Sequence, residues 1–214
     1  MNKMFTPELE EQLRQVFEGL VDDVTIALFT DGEACYSCPE TVGYMREVAA
    51  LSDKIHLKEY DLQRDAATAA GFKVDLAPSI VLLDAKGDYQ GVKFNGIPAG
   101  HEINSFIPAL LEVSGQASEV PEDLAARVDA IDKPVNIKVF VTLSCPHCPG
   151  AVQKAHKLAL MNPHVEAEMV EAQTFQELSS KFNVSGVPKI VINDTYELVG
   201  NQPIQAFLDE MERI

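Results

Sequence analysis

The only thiols in the 214-residue sequence are four cysteines, arranged as two C-x-x-C pairs: Cys35 and Cys38 in ACYSCPE, Cys145 and Cys148 in SCPHCPG. Two thiols at this spacing can hold a metal, staple a fold or exchange electrons. A staple is not required, because a chain of this length with 46% apolar residues can bury two cores of about 100 residues each. Structural zinc held by two such pairs places them about 15 to 20 residues apart in one small knuckle. Here they stand 110 apart, so sharing one ion would require two domains to dock motif to motif. A thiol-bound zinc or iron–sulfur module remains the alternative from another class, and no metal ligand set is assigned.

Each pair directly precedes a stretch that reads as a helix. At a helix start, unpaired backbone N–H groups and the positive end of the dipole favour a negative sulfur. One unit of pKa depression is about 1.4 kcal/mol in favour of the thiolate. Cys35 and Cys145 are therefore the expected nucleophiles. One turn further on, Cys38 and Cys148 are within reach to resolve a mixed disulfide. Pro39 and Pro149 come early enough that a missing N–H costs little.

The elements that must position these pairs occur twice. At an offset of 110, the segments 35–84 and 145–194 superpose without a gap and share twelve identical pairs, among them Pro39/Pro149, Phe72/Phe182, Val74/Val184, Pro78/Pro188 and Val81/Val191. Ordinary composition would give about three. Both halves open with an amphipathic helix carrying a proline near its start: Pro7 with Leu9, Leu13, Val16, Phe17 and Leu20, then Pro121 with Leu124, Val128 and Ile131. A strand (24–29; 135–143), the cysteine helix, a strand near 55–60 or 165–170 and a helix near 64–72 or 174–182 follow in each half. For the last of these, Thr174 with Glu177 fits a capping box. Next come Pro78 or Pro188, the strands SIVLLD and KIVIND, a turn, a further strand and a last helix. This β-α-β-α-β-β-α order predicts an α/β protein with a mixed central sheet flanked by helices in each half. SGQASEVPED is the natural junction, giving domains 1–117 and 118–214.

A proline stands forty residues after each second cysteine, as Ala77-Pro78 and Val187-Pro188. With this element order, the spacing resembles the thioredoxin fold, in which an X-cis-Pro turn packs against the C-x-x-C. Two such units with intact motifs, together with FNGIPAGHE in the first half, resemble the protein disulfide oxidoreductase family, also called glutaredoxin-like, over nearly the whole chain. The resemblance implies two tandem thioredoxin-like folds, with Ala77/Pro78 and Val187/Pro188 as substrate-facing turns. It implies dithiol–disulfide exchange with protein disulfides, no cofactor beyond the redox-active disulfides, and electrons from a thioredoxin-reductase-like flavoenzyme. A dedicated electron carrier to a peroxidase is the alternative within the same chemistry. In this superfamily the intervening dipeptide tunes the potential, and here Tyr36-Ser37 differs from Pro146-His147. C-P-H-C, with Val187 before the proline, is similar to the strongly oxidising DsbA thiol oxidases. An imidazole beside the thiolate stabilises the reduced form, so Cys145/Cys148 is expected to be the more oxidising pair.

The sequence departs from the thioredoxin pattern in having no acid on the strands leading into the motifs, TIALF and NIKVFVTL. Asp61 and Glu171, also related by the offset, are candidate substitutes, with a solvated strand end as the plainer reading of both. Gly100, His101 and Glu102 are given a structural role. The remaining histidines, His56, His156 and His164 with His101, show no ligand spacing. A formal charge of -16 without a Lys/Arg cluster speaks against nucleic acid and acidic membranes as partners. The absence of a signal-like or spanning apolar run leads to the expectation of a cytoplasmic protein. There a C-x-x-C is more often catalytic or metal-binding than structural. The charged fraction, 23%, lacks the signature of a hot source.

Overall fold

A computed structural model describes residues 3–32, 35–116 and 118–214; Ala117, in the predicted junction, lies outside them. The first half runs α1 (Pro7–Phe17), β1 (Val24–Thr30), α2 (Cys38–Ala49), β2 (Ile55–Asp61), α3 (Ala66–Gly71), β3 (Ser79–Leu83), β4 (Tyr89–Asn95), a 3-10 turn (Gly100–Glu102) and α4 (Ile103–Val113). The second runs α5 (Glu122–Asp129), β5 (Val135–Val141), α6 (Cys148–Met161), β6 (Val165–Glu171), α7 (Gln176–Lys181), β7 (Lys189–Ile192), β8 (Tyr196–Val199) and α8 (Ile204–Met211). The duplicated element order expected from the offset is observed, and both halves are mixed α/β.

The polypeptide forms two compact units, and the chain does not divide between them at one cut. The first comprises Met1–Tyr89, Asn95–Ile97 and Leu110–Gln116; the second comprises Gln90–Phe94, Pro98–Ala109 and Ala117–Ile214. The last change of unit falls at the expected junction, while Gln90–Phe94 and Pro98–Ala109, from before that junction, are part of the second unit. In the first unit the strand order is β2-β1-β3; in the second it is β4-β6-β5-β7-β8. Gly91 shows why β4 can serve the second unit. Its φ is +78°, and a Cβ there would stand 2.6 Å from the Val165 carbonyl oxygen, an approach only glycine permits.

The central strands explain their sequences. β1 is parallel to β2 and antiparallel to β3, with Ile26 opposite both Leu57 and Leu82. β5 repeats this, with Ile137 opposite Ala167 of β6 and Ile192 of β7. Ile26, Leu28, Ile137 and Val139 are fully buried, as continuous apolar strands covered on both faces should be. Residues related by the offset fill equivalent cores: Phe72, Val74 and Val81 with Phe29 and Tyr60 in one unit, Phe182, Val184 and Val191 with Phe140 in the other.

Two local readings change. Leu13 and Phe17 of α1 are buried, but Val16 is 43% exposed, so the apolar stripe is narrower than its sequence suggests. The capping box is not formed: α7 is preceded by Phe175 without a side-chain cap. The Thr174 hydroxyl instead donates to Glu171 Oε2 at 2.6 Å. α1 does carry a cap, with Thr6 Oγ1 accepting from the Leu9 N–H at 3.2 Å. Among the described residues, no helix is long and apolar enough to cross a membrane.

Candidate active sites

Both pairs are disulfides, with Cα–Cα distances of 5.3 Å for Cys35–Cys38 and 5.6 Å for Cys145–Cys148, inside the usual range. α2 and α6 begin at the second cysteine of each pair, so the first lies just before the helix. In both sites the first cysteine is the more accessible: Cys35 and Cys145 are 8% exposed, against 3% for Cys38 and 0% for Cys148. Tyr36 is fully exposed, Pro146 and His147 are exposed, and Ser37 is half-buried. Neither Ser37 nor His147 caps its helix with a side chain, which leaves the first-turn N–H groups to act on the sulfurs. Pro39 and Pro149 occupy the first turns, where they are tolerated.

The proline turns are brought to the same ends of the sheets. Ser79 pairs with Phe29 and Lys189 with Phe140, so each proline sits beside the end of the strand that leads into its cysteine pair. Both Ala77–Pro78 and Val187–Pro188 are cis. The Pro78 carbonyl accepts from the Gly96 N–H at 2.9 Å, and the Pro188 carbonyl from the Gly200 N–H at 2.8 Å. Both prolines are buried, and Ala77 and Val187 before them are half-buried.

The two acids singled out at the strand ends are committed elsewhere. Asp61 Oδ1 accepts from the N–H groups of Gln63 and Arg64, each at 3.0 Å. Those bonds, the one from Arg64 foremost, hold its carboxyl below the usual range. Glu171 is not a solvated strand end: it is buried, and its oxygens take the N–H groups of Gln173 and Thr174 as well as the Thr174 hydroxyl. Both side chains fasten the turn after a strand.

The acid that residue types and spacing did not single out is Glu102. Its turn belongs to the second unit and packs on α6. The His101 N–H donates to the Leu143 carbonyl at 2.9 Å, two residues before Cys145. Gly100, with φ +57°, lies so close that a Cβ would stand 2.5 Å from the same oxygen. Glu102 is fully buried; Ser105 Oγ donates to Oε2, while Oε1 has no partner among the described residues. Burial pushes its carboxyl up to about 7, against the opposing pull of Ser105. The structural reading holds for Gly100 and His101 and is incomplete for Glu102. Glu102 lies 43 residues upstream of Cys145, and only the pairing of β4 with β6 brings its segment to this site. The first unit has no buried carboxyl among the described residues. Nor do three His, Cys, Asp or Glu side chains come together as a metal site anywhere among them.

A family model described as a thioredoxin domain matches residues 135–213. A structure of the alkylhydroperoxide reductase AhpF from Enterococcus faecalis V583 is 33% identical and superposes with a TM-score of 0.91, covering 97% of this chain and 99% of that one. The protein belongs to this tandem thioredoxin-fold family. Protein disulfide oxidoreductase from Aeropyrum pernix K1 is 28% identical, with a TM-score of 0.89 over 97% of this chain and 92% of that one. The alkyl hydroperoxide reductase AhpF of Staphylococcus epidermidis is 28% identical over 210 residues, which are 97% of this chain and 38% of the relative. The chain thus spans well under half the length of such curated relatives. This chain carries two C-x-x-C disulfides and is a thiol–disulfide oxidoreductase.

Proposed function

We propose that the protein is a two-site relay that carries electron pairs from a thioredoxin-reductase-like flavoenzyme to protein disulfides, that of a peroxidase among them. The observation that carries this reading is the duplicated disulfide, each copy at a helix start with its first cysteine outermost and its own proline turn alongside. Similarity to the alkyl hydroperoxide reductases supports the peroxidase as recipient. Similarity to the Aeropyrum protein supports protein disulfides more widely. The chemistry suits a reducing cytoplasm, where a dithiol can be regenerated.

In the reducing direction, the Cys145 thiolate attacks one sulfur of the partner's disulfide, forming a mixed disulfide and releasing one partner thiolate. Cys148 gives up its proton, attacks Cys145 Sγ and closes the intramolecular disulfide, releasing the second partner thiolate. Two electrons and, after protonation, two protons have moved to the partner. Glu102, raised to about 7, is suited to take the Cys148 proton, since a base works best near the operating pH. Cys35 and Cys38 run the same cycle with water as proton acceptor. Ala77 and Val187, half-buried before the cis prolines, would offer an extended partner segment a strand-like hydrogen-bonding edge.

Insulin reduction and dithiol oxidation by Cys35→Ser and Cys145→Ser, assayed separately, test this reading. Each variant is expected to lose the turnover of its own site, and full activity in both overturns it. A count of four thiols after mild reduction and none after oxidation, without stoichiometric metal, separates the relay from a metal-binding module.

A further inference from the structure

The borders of the two cysteine pairs carry opposite charge. The chain has 33 carboxylates against 17 Lys and Arg, yet the segments around Cys145 and Cys148 (98–104, 141–154, 185–188 and 199–203) contain one carboxyl, the buried Glu102. These segments are tied to one another within the second unit. His101 N–H donates to the Leu143 carbonyl at 2.9 Å, and Gln153 Nε2 to the Asn104 carbonyl at 2.5 Å. Gly200 N–H donates to the Pro188 carbonyl at 2.8 Å. Lys154 Nζ donates to Asn201 Oδ1 at 2.5 Å, and the Asn201 side chain fills the space where Gly150 lacks a Cβ. The ionisable side chains that reach solvent along this border are His101, His147 and half-buried Lys154, none of which is anionic at neutral pH.

The equivalent segments around Cys35 and Cys38, 31–44 and 75–78, carry exposed Glu40 and Asp75 and half-buried Asp31, with no Lys or Arg. A chain of charge -16 repels acidic partners over most of its surface. Lys154 stands six positions after Cys148, a rise of about 9 Å along the helix, on the scale of the Debye length of about 8 Å at physiological salt. An approaching acidic segment meets less repulsion at this border than at the acid-bearing border of Cys35/Cys38, which both steers and selects.

We infer that the Cys145/Cys148 site recognises partners whose target disulfide is flanked by acidic residues, and that the Cys35/Cys38 site disfavours them. This rests on the dithiol–disulfide exchange described above and adds to it the class of polypeptide each site accepts.

The test uses the full chain with one site inactivated, Cys35→Ser/Cys38→Ser or Cys145→Ser/Cys148→Ser. Each prereduced protein is mixed in single turnover with synthetic peptides closed by one disulfide and flanked by Asp/Glu, by Ser/Gln or by Lys/Arg. With only Cys145/Cys148 present, the acidic peptide is expected to react about fivefold faster than the basic one at low salt, the ratio shrinking towards one at high salt. Lys154→Glu is expected to erase or invert the order and Lys154→Gln to halve it, both leaving the Ser/Gln rate unchanged. With only Cys35/Cys38 present, the order reverses. Equal rates for acidic and basic peptides at low salt, or an order that survives both Lys154 variants, overturn the inference while leaving exchange itself intact. If the Ser/Gln peptide also fails to react, the exchange reading falls and the inference with it.

Discussion

At the scale of single residues, the two sites share their sulfurs and differ in what stands beside them. His147, exposed between Cys145 and Cys148, can stabilise that thiolate where Tyr36 and Ser37 cannot do so to the same degree. In a glutathione titration the Cys145/Cys148 pair is expected to have the higher potential, and His147→Tyr to lower it, each tenfold change in equilibrium reading as about 30 mV. An equal or higher Cys35/Cys38 potential would remove His147 from the account. Glu102 makes a separate prediction. If it takes the Cys148 proton, Glu102→Gln slows the closing of the mixed disulfide at that site about tenfold or more and abolishes its rise with pH through about 7. Burial has raised this carboxyl above its unfolded value, so the stability it contributes is complete below the unfolded pKa and lost as pH rises through the folded one. Glu102→Gln should therefore be more stable than the parent protein at alkaline pH, with the difference narrowing on acidification, as thermal melts across pH will measure. A mutant that closes its disulfide at the normal rate would leave Glu102 a packing residue.

At the scale of elements, α6 and the turn at Gly100–Glu102 depend on each other. Gly100→Ala would force a Cβ to 2.5 Å from the Leu143 oxygen at a φ of +57°, a combination expected to cost about 2 kcal/mol or more. Slower chemistry at Cys145 should accompany the lower melting temperature, since Leu143 leads into that pair. His156 lies on the same helix, fully buried, with Nε2 at 3.2 Å from the Lys93 carbonyl and its ring against Phe94. Burial pulls it down to about 4, although the carbonyls of Lys93 and Ala167 favour the charged ring. A depressed histidine contributes stability that is complete above its unfolded pKa of about 6.5 and is lost as pH falls towards 4. Unfolding free energy should fall over that window, and less steeply in His156→Gln, if denaturant titrations are compared at pH 7 and 5. The strands, the cysteine helices and the proline turns were all legible in the sequence, because a duplication displays every local pattern twice. Glu102 was not, since nothing local to GIPAGHE reveals that its turn packs on the helix of the second cysteine pair. The Thr174 capping box fails for a local reason: Glu171, three residues before it, takes the hydroxyl in competition with the helix start.

At the scale of the whole molecule, the two copies of one sequence pattern do not coincide with the two compact units. β4 contributes Gln90–Phe94 to the second unit, beside β6, and Phe94 packs on Phe106 and His156 there. A fragment of residues 118–214 would lose that strand and expose β6 as a bare edge, which invites aggregation. It is expected to fold poorly and to lose single-turnover reactivity at Cys145, whereas a fragment beginning at residue 90 should retain more of both; equal behaviour of the two would argue against the interleaving. The arrangement also carries a genetic consequence. Codons 98–109 lie before the expected junction and serve the second unit, so alleles that silence Cys145 chemistry should map to both sides of that junction. Exchanging the two copies by recombination at that junction would part the CPHC motif from the turn at Gly100–Glu102 that is tied to Leu143 before it.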